Sequence, residues 1–243
     1  MVKKVLIVYY TQTGQLREIV DSVTAPMAAD PEIELVFEEL KPKHPFPFPW
    51  TSDEFFQAMP ECVKGIPCEL EPFTQNLHKD FDLVMIAWQP WFLSPSIPFH
   101  AFFQHESAKK LLKDKPVVTI TGCRNMWYMA QKQIKQYIQQ AGGGLVGNIL
   151  LFDKAPNLLS LVSIIRWMFK GKRDRYLRII PPAGVAQTDI DGAVRYGEII
   201  RNSLHNGDHE GLQSRLVAAG AVDVRTGLVM IEKRGIVMFR LWA

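Results

Sequence analysis

Cysteine is scarce in this chain: three residues in 243, Cys62, Cys68 and Cys123, and no Cys-x-x-Cys pair. So odd and sparse a set argues against a disulfide framework and for a reducing, cytoplasmic compartment. Long apolar runs are missing too. No window reaches the roughly 18 apolar residues a membrane-spanning helix needs, so none is expected. The apolar run after Lys3 and Lys4 is too short for a signal peptide. Charge of one sign is also weak. The formal net charge is +3, too small to point to nucleic acid, and it lacks the strong field that steers a small electron shuttle. The six histidines are dispersed. Gly207 separates His205 from His209, and His100 and His105 do not share a helical face, so no metal site is expected. What remains, 47% hydrophobic and 22% charged residues, suits one large globular domain or a domain with an appendage.

The most informative stretch is Val5 to Leu16. A run of β-branched and aromatic residues stops at Tyr10-Thr11-Gln12-Thr13-Gly14-Gln15. A helical pattern then begins with Leu16, Ile19, Val20 and Val23. Strand, polar loop and helix make an anion site, because loop N–H groups and the helix N-terminus offer unpaired donors. Thr11 and Thr13 add hydroxyls, and Gly14 lets the backbone approach closely. The loop lacks the lysine of a nucleoside-triphosphate site and the glycines of a dinucleotide fingerprint. Neutral donors of this kind suit a monophosphate, and flavin mononucleotide (FMN) is the candidate. Thr11, Thr13 and Gly14 resemble the Thr/Ser-x-Thr-Gly-x-Thr phosphate loop of flavodoxin-like flavoproteins. Leu16 stands where that motif has its last hydroxyl.

Strands are expected near 4–10, 33–39, 82–88, 116–121 and 145–152, and helices near 15–25, 97–112 and 126–141. The strands are apolar runs, as in a parallel sheet covered on both faces. The expected fold is α/β: a flavodoxin-like, doubly wound, five-stranded parallel sheet over residues 1–206, with a C-terminal extension, 207–243, packed on it. Ligands of such sheets bind beyond the carboxyl ends of the strands. The loops after the first, third and fourth strands should therefore converge.

Residues 41–80 interrupt the alternation. The prolines of His44 to Trp50 exclude helix and central strand. A short helix capped by Thr51 or Ser52 should follow, and a segment this apolar must lie on the body or over a pocket. In residues 158–169 Ser160, Ser163 and Arg166 form one narrow polar stripe, which predicts a helix buried on nearly every side. Core, homodimer interface and pocket wall are the readings open to it. Lys170, Lys172, Arg173, Arg175 and Arg178 follow; a solvated face, a membrane surface, an acidic carrier protein or a cofactor phosphate would each suit them. Thr188 to Asp191 resembles a capping box opening a helix to about 204. Residues 211–219 suit a helix, and 229–242 either a hairpin or a helix and a strand.

Two loops carry the remaining chemistry. Trp88 to Pro98 packs three aromatics and three prolines into 11 residues. It resembles the loop of flavodoxin-like quinone reductases that lies against the isoalloxazine ring. That resemblance assigns Pro90, Trp91, Phe92 and Leu93, with Trp88, to flavin contact. In the loop after the fourth strand, Gly122 allows close backbone approach, and Arg124 and Asn125 offer donors to the ring carbonyls. Cys123 reads as a small filler rather than a nucleophile. Thr11, Gln12, Thr13, Gly14 and Gln15 complete the expected cofactor site.

The runs Pro45 to Ser52, Gln89 to Pro98, Arg124 to Trp127 and Gly171 to Leu177 resemble the dialkylresorcinol condensing enzyme family over nearly the whole chain. The resemblance implies a role in making dialkylresorcinols, the aryl lipids also used for flexirubin-type pigments. A condensing enzyme needs an acylated cysteine with histidine partners, and no cysteine here has that setting. The expected activity is instead the later, aromatase-type step: oxidation of a lipophilic dialkylcyclohexane-1,3-dione to the resorcinol by bound FMN. Tyr128 and His100 are the candidate bases. A non-catalytic partner of a ketosynthase or acyl carrier and a generic NAD(P)H quinone reductase are the alternatives.

Overall fold

The computed structural model describes residues 2–77 and 80–242. In chain order the elements are β1 (Lys3–Tyr9), α1 (Gln15–Ala28), β2 (Ile33–Glu39), α2 (Ser52–Lys64), β3 (Leu83–Trp88), β4 (Pro90–Trp91) and β5 (Ser94–Pro95). Then come α3 (Ile97–Gln104), α4 (Glu106–Leu112), β6 (Pro116–Cys123), α5 (Tyr128–Gln140) and β7 (Gly144–Phe152). The chain ends in five helices, α6 (Asn157–Lys170), α7 (Gln187–Asp191), α8 (Val194–Asn206), α9 (Leu212–Ala218) and α10 (Thr226–Trp242).

Strand side chains alternate between the two faces of a sheet. In β1, Val5, Ile7 and Tyr9 enter one hydrophobic cluster, and Leu6 and Val8 enter another. In β3, Leu83, Met85 and Ala87 join the first cluster, and Val84, Ile86 and Trp88 the second. Strands apolar on both faces need helices on both. The five long strands pair in parallel in the order β2-β1-β3-β6-β7. Numbered among themselves they run 2-1-3-4-5, the flavodoxin-like order, which puts the switch point between the first and third strands. One face is covered by α1, α8 and α9, the other by α3, α4 and α5. The α1–α8 contact is close enough that a Cβ at Gly197 would lie 1.9 Å from the Val23 carbonyl oxygen. Only glycine allows that approach.

Several local expectations change. The helix expected over 97–112 is two, α3 and α4, broken at His105, whose backbone is extended and whose Nδ1 accepts the Ser107 N–H. The capping box at Thr188 does not form: α7 starts at Gln187 after Ala186 with no side-chain cap, and α8 begins separately after Gly192 and Ala193. The box at Thr51 does form, with Glu54 as its partner. The segment 41–80, apart from 78 and 79, which lie outside the described residues, forms α2 and an irregular flank. Residues 226–242 form one helix, with neither hairpin nor strand.

The largest reversal is α6. Its serine stripe points inward: Ser160 and Ser163 are buried, and the Ser160 hydroxyl donates to Asp153 Oδ2 at 2.6 Å. Leu158, Leu161, Val162 and Ile165 face outward. Small side chains let α6 lie close to the body, and Asp153, itself buried at the end of β7, demands a hydroxyl partner. Satisfying a buried carboxylate outweighs hiding aliphatic surface.

Candidate functional site

The loops after β1, β3 and β6 meet at one cavity of about 470 Å³, within the range of small-molecule sites. From the first loop come Gln12, Thr13 and Gln15, from the second Gln89 to Leu93, and from the third Gly122, Cys123 and Arg124. Phe48, Trp50 and Phe55 close one side, Ile164, Trp167 and Met168 of α6 another, and Ile231, Gly235 and Phe239 of α10 a third. The wall is therefore mostly apolar.

The first loop is an open donor cradle. Gly14 caps α1 with φ +84°, and nothing lies within 4 Å of where its Cβ would be. Among the described residues the N–H groups of Gln12, Thr13 and Leu16 find no acceptor. Thr11 and Gly14 lie outside the cavity lining and are turned to each other: Gly14 N–H donates to Thr11 Oγ1 at 3.0 Å. Gln15 has a structural task. Its carboxamide donates to the Val185 carbonyl and accepts the Val185 N–H, both at 3.0 Å, and so pins the 183–186 loop to the site. The side chain of Gln12 donates to the Pro47 carbonyl.

The second loop is a miniature hairpin. β4 and β5 pair antiparallel across Phe92 and Leu93, whose φ values are +48° and +62°. Positive φ at both central residues is the mark of a type I′ turn, normally built from asparagine or glycine. Two bulky residues in the left-handed region store strain of about 1–3 kcal/mol each. The surroundings hold them there. Phe92 packs on Phe55 and Phe239, at centroid distances of 4.8 and 6.2 Å. Leu93 meets α10 at Gly235, where a Cβ would lie 2.8 Å from Leu93 Cδ1. Trp91 is wedged edge-on against Tyr10, Phe46 and Trp50 at 5.9, 5.1 and 5.6 Å. Trp88 is fully buried in the core and does not line the cavity, because its strand position turns it into the sheet's second face.

In the third loop, Arg124 lines the cavity with one Nη1 held by the Asn157 carbonyl and Oδ1 at 3.2 and 2.9 Å. Burial lowers its pKa, opposed by nearby Asp153. Among the described residues it is the one cation that lines the cavity. Cys123 also lines the cavity, and burial pushes its thiol up, away from the thiolate a nucleophile needs. Asn125 does not line it: its Nδ2 donates to Asn157 Oδ1, and the residue borders a separate crevice with Tyr128 and Glu232.

Neither candidate base faces the cavity. His100 is fully buried under α2, bounded by the Cys62 carbonyl at 3.0 Å, the Ser94 hydroxyl at 3.2 Å and the Tyr137 hydroxyl at 3.0 Å. Burial lowers its pKa to about 4, so it is a neutral core residue near pH 7. Tyr128 opens α5 with its side chain half in solvent. Helical direction carries each away from the strand ends.

Sequence reasoning missed the α10 wall entirely. Its anchor is Glu232, a buried acid in an otherwise basic and apolar helix. Its carboxylate accepts N–H groups of Trp127, Tyr128 and Met129 at 3.0, 3.4 and 2.8 Å. α5 has no side-chain N-cap of its own, so α10 supplies one. A lone acid in a basic helix was the available signal.

No family model and no curated protein matches the chain. Among solved structures it is similar to a flavoprotein from Lactobacillus acidophilus NCFM in complex with FMN: 16% identity, TM-score 0.48, covering 60% of this chain and 92% of that one. It is similar to the oxidised flavodoxin 1 of Bacillus cereus, at 10% identity and TM-score 0.42 over 81% of this chain and 95% of the other. A flavodoxin from the Archaea gives 10% identity and TM-score 0.44 over 83% and 99%. The flavodoxin-like assignment of this chain rests on its own strand order and parallel pairing.

Proposed function

We propose that the chain is an FMN-dependent oxidoreductase that oxidises a dialkylcyclohexane-1,3-dione to the corresponding resorcinol. One observation carries the reading: the three loops at the strand ends enclose an apolar cavity with unpaired backbone donors at one edge and a single cation at another. The donor set fits a flavin phosphate. Neutral N–H groups at the start of α1 and the Thr13 hydroxyl would hold it, and the Pro90 to Leu93 hairpin and Gly122 would border the ring. When bound, the flavin supplies a two-electron acceptor for hydride.

Overall the dione loses one proton and one hydride, and its ring becomes aromatic. Among the described residues no carboxylate, histidine or lysine lines the cavity. A 1,3-dione has no need of one for its first ionisation, because the carbon between its carbonyls is acidic by itself. What it needs is a cation for the enolate oxygen, and Arg124 is the one at hand. Alkyl tails find Ile164, Met168, Ile231 and Phe239. The same lack of an acid–base residue favours the second reading, a binding partner that hands intermediates to a ketosynthase.

The test has two stages. Absorbance after adding FMN reports uptake of the cofactor. Anaerobic mixing of the loaded protein with the dione should then bleach the flavin and release resorcinol in equal amount. A protein that takes up no flavin supports the binding role, and rapid bleaching by NADPH with no reaction of the dione supports a quinone reductase.

A further inference from the structure

α6 and α10 flank the cavity with their amphipathic order reversed. α6 turns Ser160 and Ser163 inward. Leu158, Leu161, Val162 and Ile165, at helical spacing, face solvent, with Leu158 75% exposed. α10 turns Glu232 inward. Met230, Val237 and Leu241, at i, i+7 and i+11, lie on the opposite side, and Leu241 is 83% exposed and Trp242 73%. The turn after α6 adds Leu177 and Ile179, the latter 69% exposed. Scattered exposed aliphatics need no explanation; apolar outer faces on two helices that both wall one cavity do.

The charges on the same elements are almost all positive. Residues 157–180 and 225–242 hold ten cations and two acids, eight positive charges net in a chain whose total is +3. The acids do not offset the surface: Glu232 is buried, and Asp174 is paired with Arg166. Arg173 is spent on the Ala183 and Val185 carbonyls. Lys170, Lys172, Arg175 and Arg178 make no ion pair among the described residues, and neither do Lys233, Arg234 and Arg240. None of these seven lines the cavity, so they do not serve a cofactor phosphate there.

We propose that the outer sides of α6 and α10, with the 176–179 turn, dock on an anionic lipid surface and embed at the headgroup level. Protruding aliphatic tips and a tryptophan interleaved with lysine and arginine are what the boundary between headgroups and acyl chains accepts. Unpaired cations at that depth meet lipid phosphates. Docking there would let a lipophilic compound pass from the bilayer into the cavity without crossing water. The docking does not depend on the redox reading.

The experiment is co-sedimentation of the full chain, with and without FMN, with vesicles of phosphatidylcholine alone or mixed with equal phosphatidylglycerol. At low salt the anionic vesicles should bind at least about tenfold more protein than the neutral ones, with loss of binding as salt rises. The variant Lys170→Gln/Lys172→Gln/Arg175→Gln/Arg178→Gln should lose most of that gain. Leu158→Ser/Leu241→Ser should lose it too while keeping the wild-type circular dichroism. Equal binding to both vesicles, or no binding to either, overturns the proposal. So does a solution dimer that the serine variant converts to monomer, or capture by an acidic carrier protein without vesicle binding. Protein that sediments with anionic vesicles but takes up no flavin leaves docking standing and defeats only the redox reading.

Discussion

Replacing Glu232 with alanine tests whether α10 is a wall of the cavity held by one carboxylate. The side chain accepts two well-placed N–H groups, from Met129 at 2.8 Å and Trp127 at 3.0 Å, and a weaker one from Tyr128 at 3.4 Å. A hydrogen bond to a charged group contributes about 1.5–3 kcal/mol, and a carboxylate at a helix N-terminus adds a few tenths to 1. Burial opposes these gains and raises the Glu232 pKa, so the cost of the alanine is set by what it leaves behind, the Trp127 and Met129 N–H groups without this acceptor, at about 1–3 kcal/mol for an unsatisfied buried donor. A net loss of about 2 kcal/mol in α10 docking follows, a roughly 30-fold rise in the undocked population. Trypsin reads that population at Lys233 and Arg234 when opening is fast relative to cleavage. The alanine variant should be cut about 30-fold faster with little change in global stability. Glu232→Gln, which keeps an acceptor, should stay within about fivefold of wild type. The raised pKa also fixes a pH sign. Docking should be strongest below the ordinary glutamate range and weaken as pH rises through the Glu232 value. Hydrogen exchange of α10 in wild type should follow that trend, and the glutamine variant should not. Equal cleavage of wild type and the alanine variant would refute the anchoring role.

Three further outcomes are expected. Thr13→Val should weaken FMN binding by about 1–1.5 kcal/mol in a fluorescence titration; unchanged affinity would remove Thr13 from the phosphate cradle. Trp91→Ala breaks three edge-on aromatic contacts and should cost about 3 kcal/mol in urea unfolding, with altered emission of bound flavin. Retention of both properties would contradict the placement of the hairpin. His100 has its pKa lowered from 6.5 to about 4, so its neutral form stabilises the fold fully above about pH 6.5. Roughly 3 kcal/mol should be lost as pH falls through about 4. A His100→Gln protein should show a flatter acid limb, and an identical limb would show that another group governs it.

The sheet was legible in the sequence because its central strands β1 and β3 are apolar on both faces, the pattern of a doubly covered parallel sheet. The polar break at Thr11 to Gln15 and the stiff segment after Trp88 marked the strand ends, and parallel order obliges those ends to meet. Local capping chemistry was readable at Thr51, where both partners lie within four residues, but misread at Thr188, where the backbone turns at Gly192 and Ala193. What tertiary structure alone decided is direction. The serine stripe of α6 reads as its exposed side until buried Asp153 claims it from the end of β7. His100 and Tyr128 follow strand-end loops in sequence, yet the helices that carry them rotate both away from the cavity. α10 has no strong periodic signal, and its place depends on a carboxylate meeting the uncapped start of α5, 103–105 residues earlier. Periodicity reports which side of an element is apolar; it does not report which side a distant unpaired charge or N–H group will draw inward, and in this chain those groups shaped the cavity and turned two apolar helix faces to the outside.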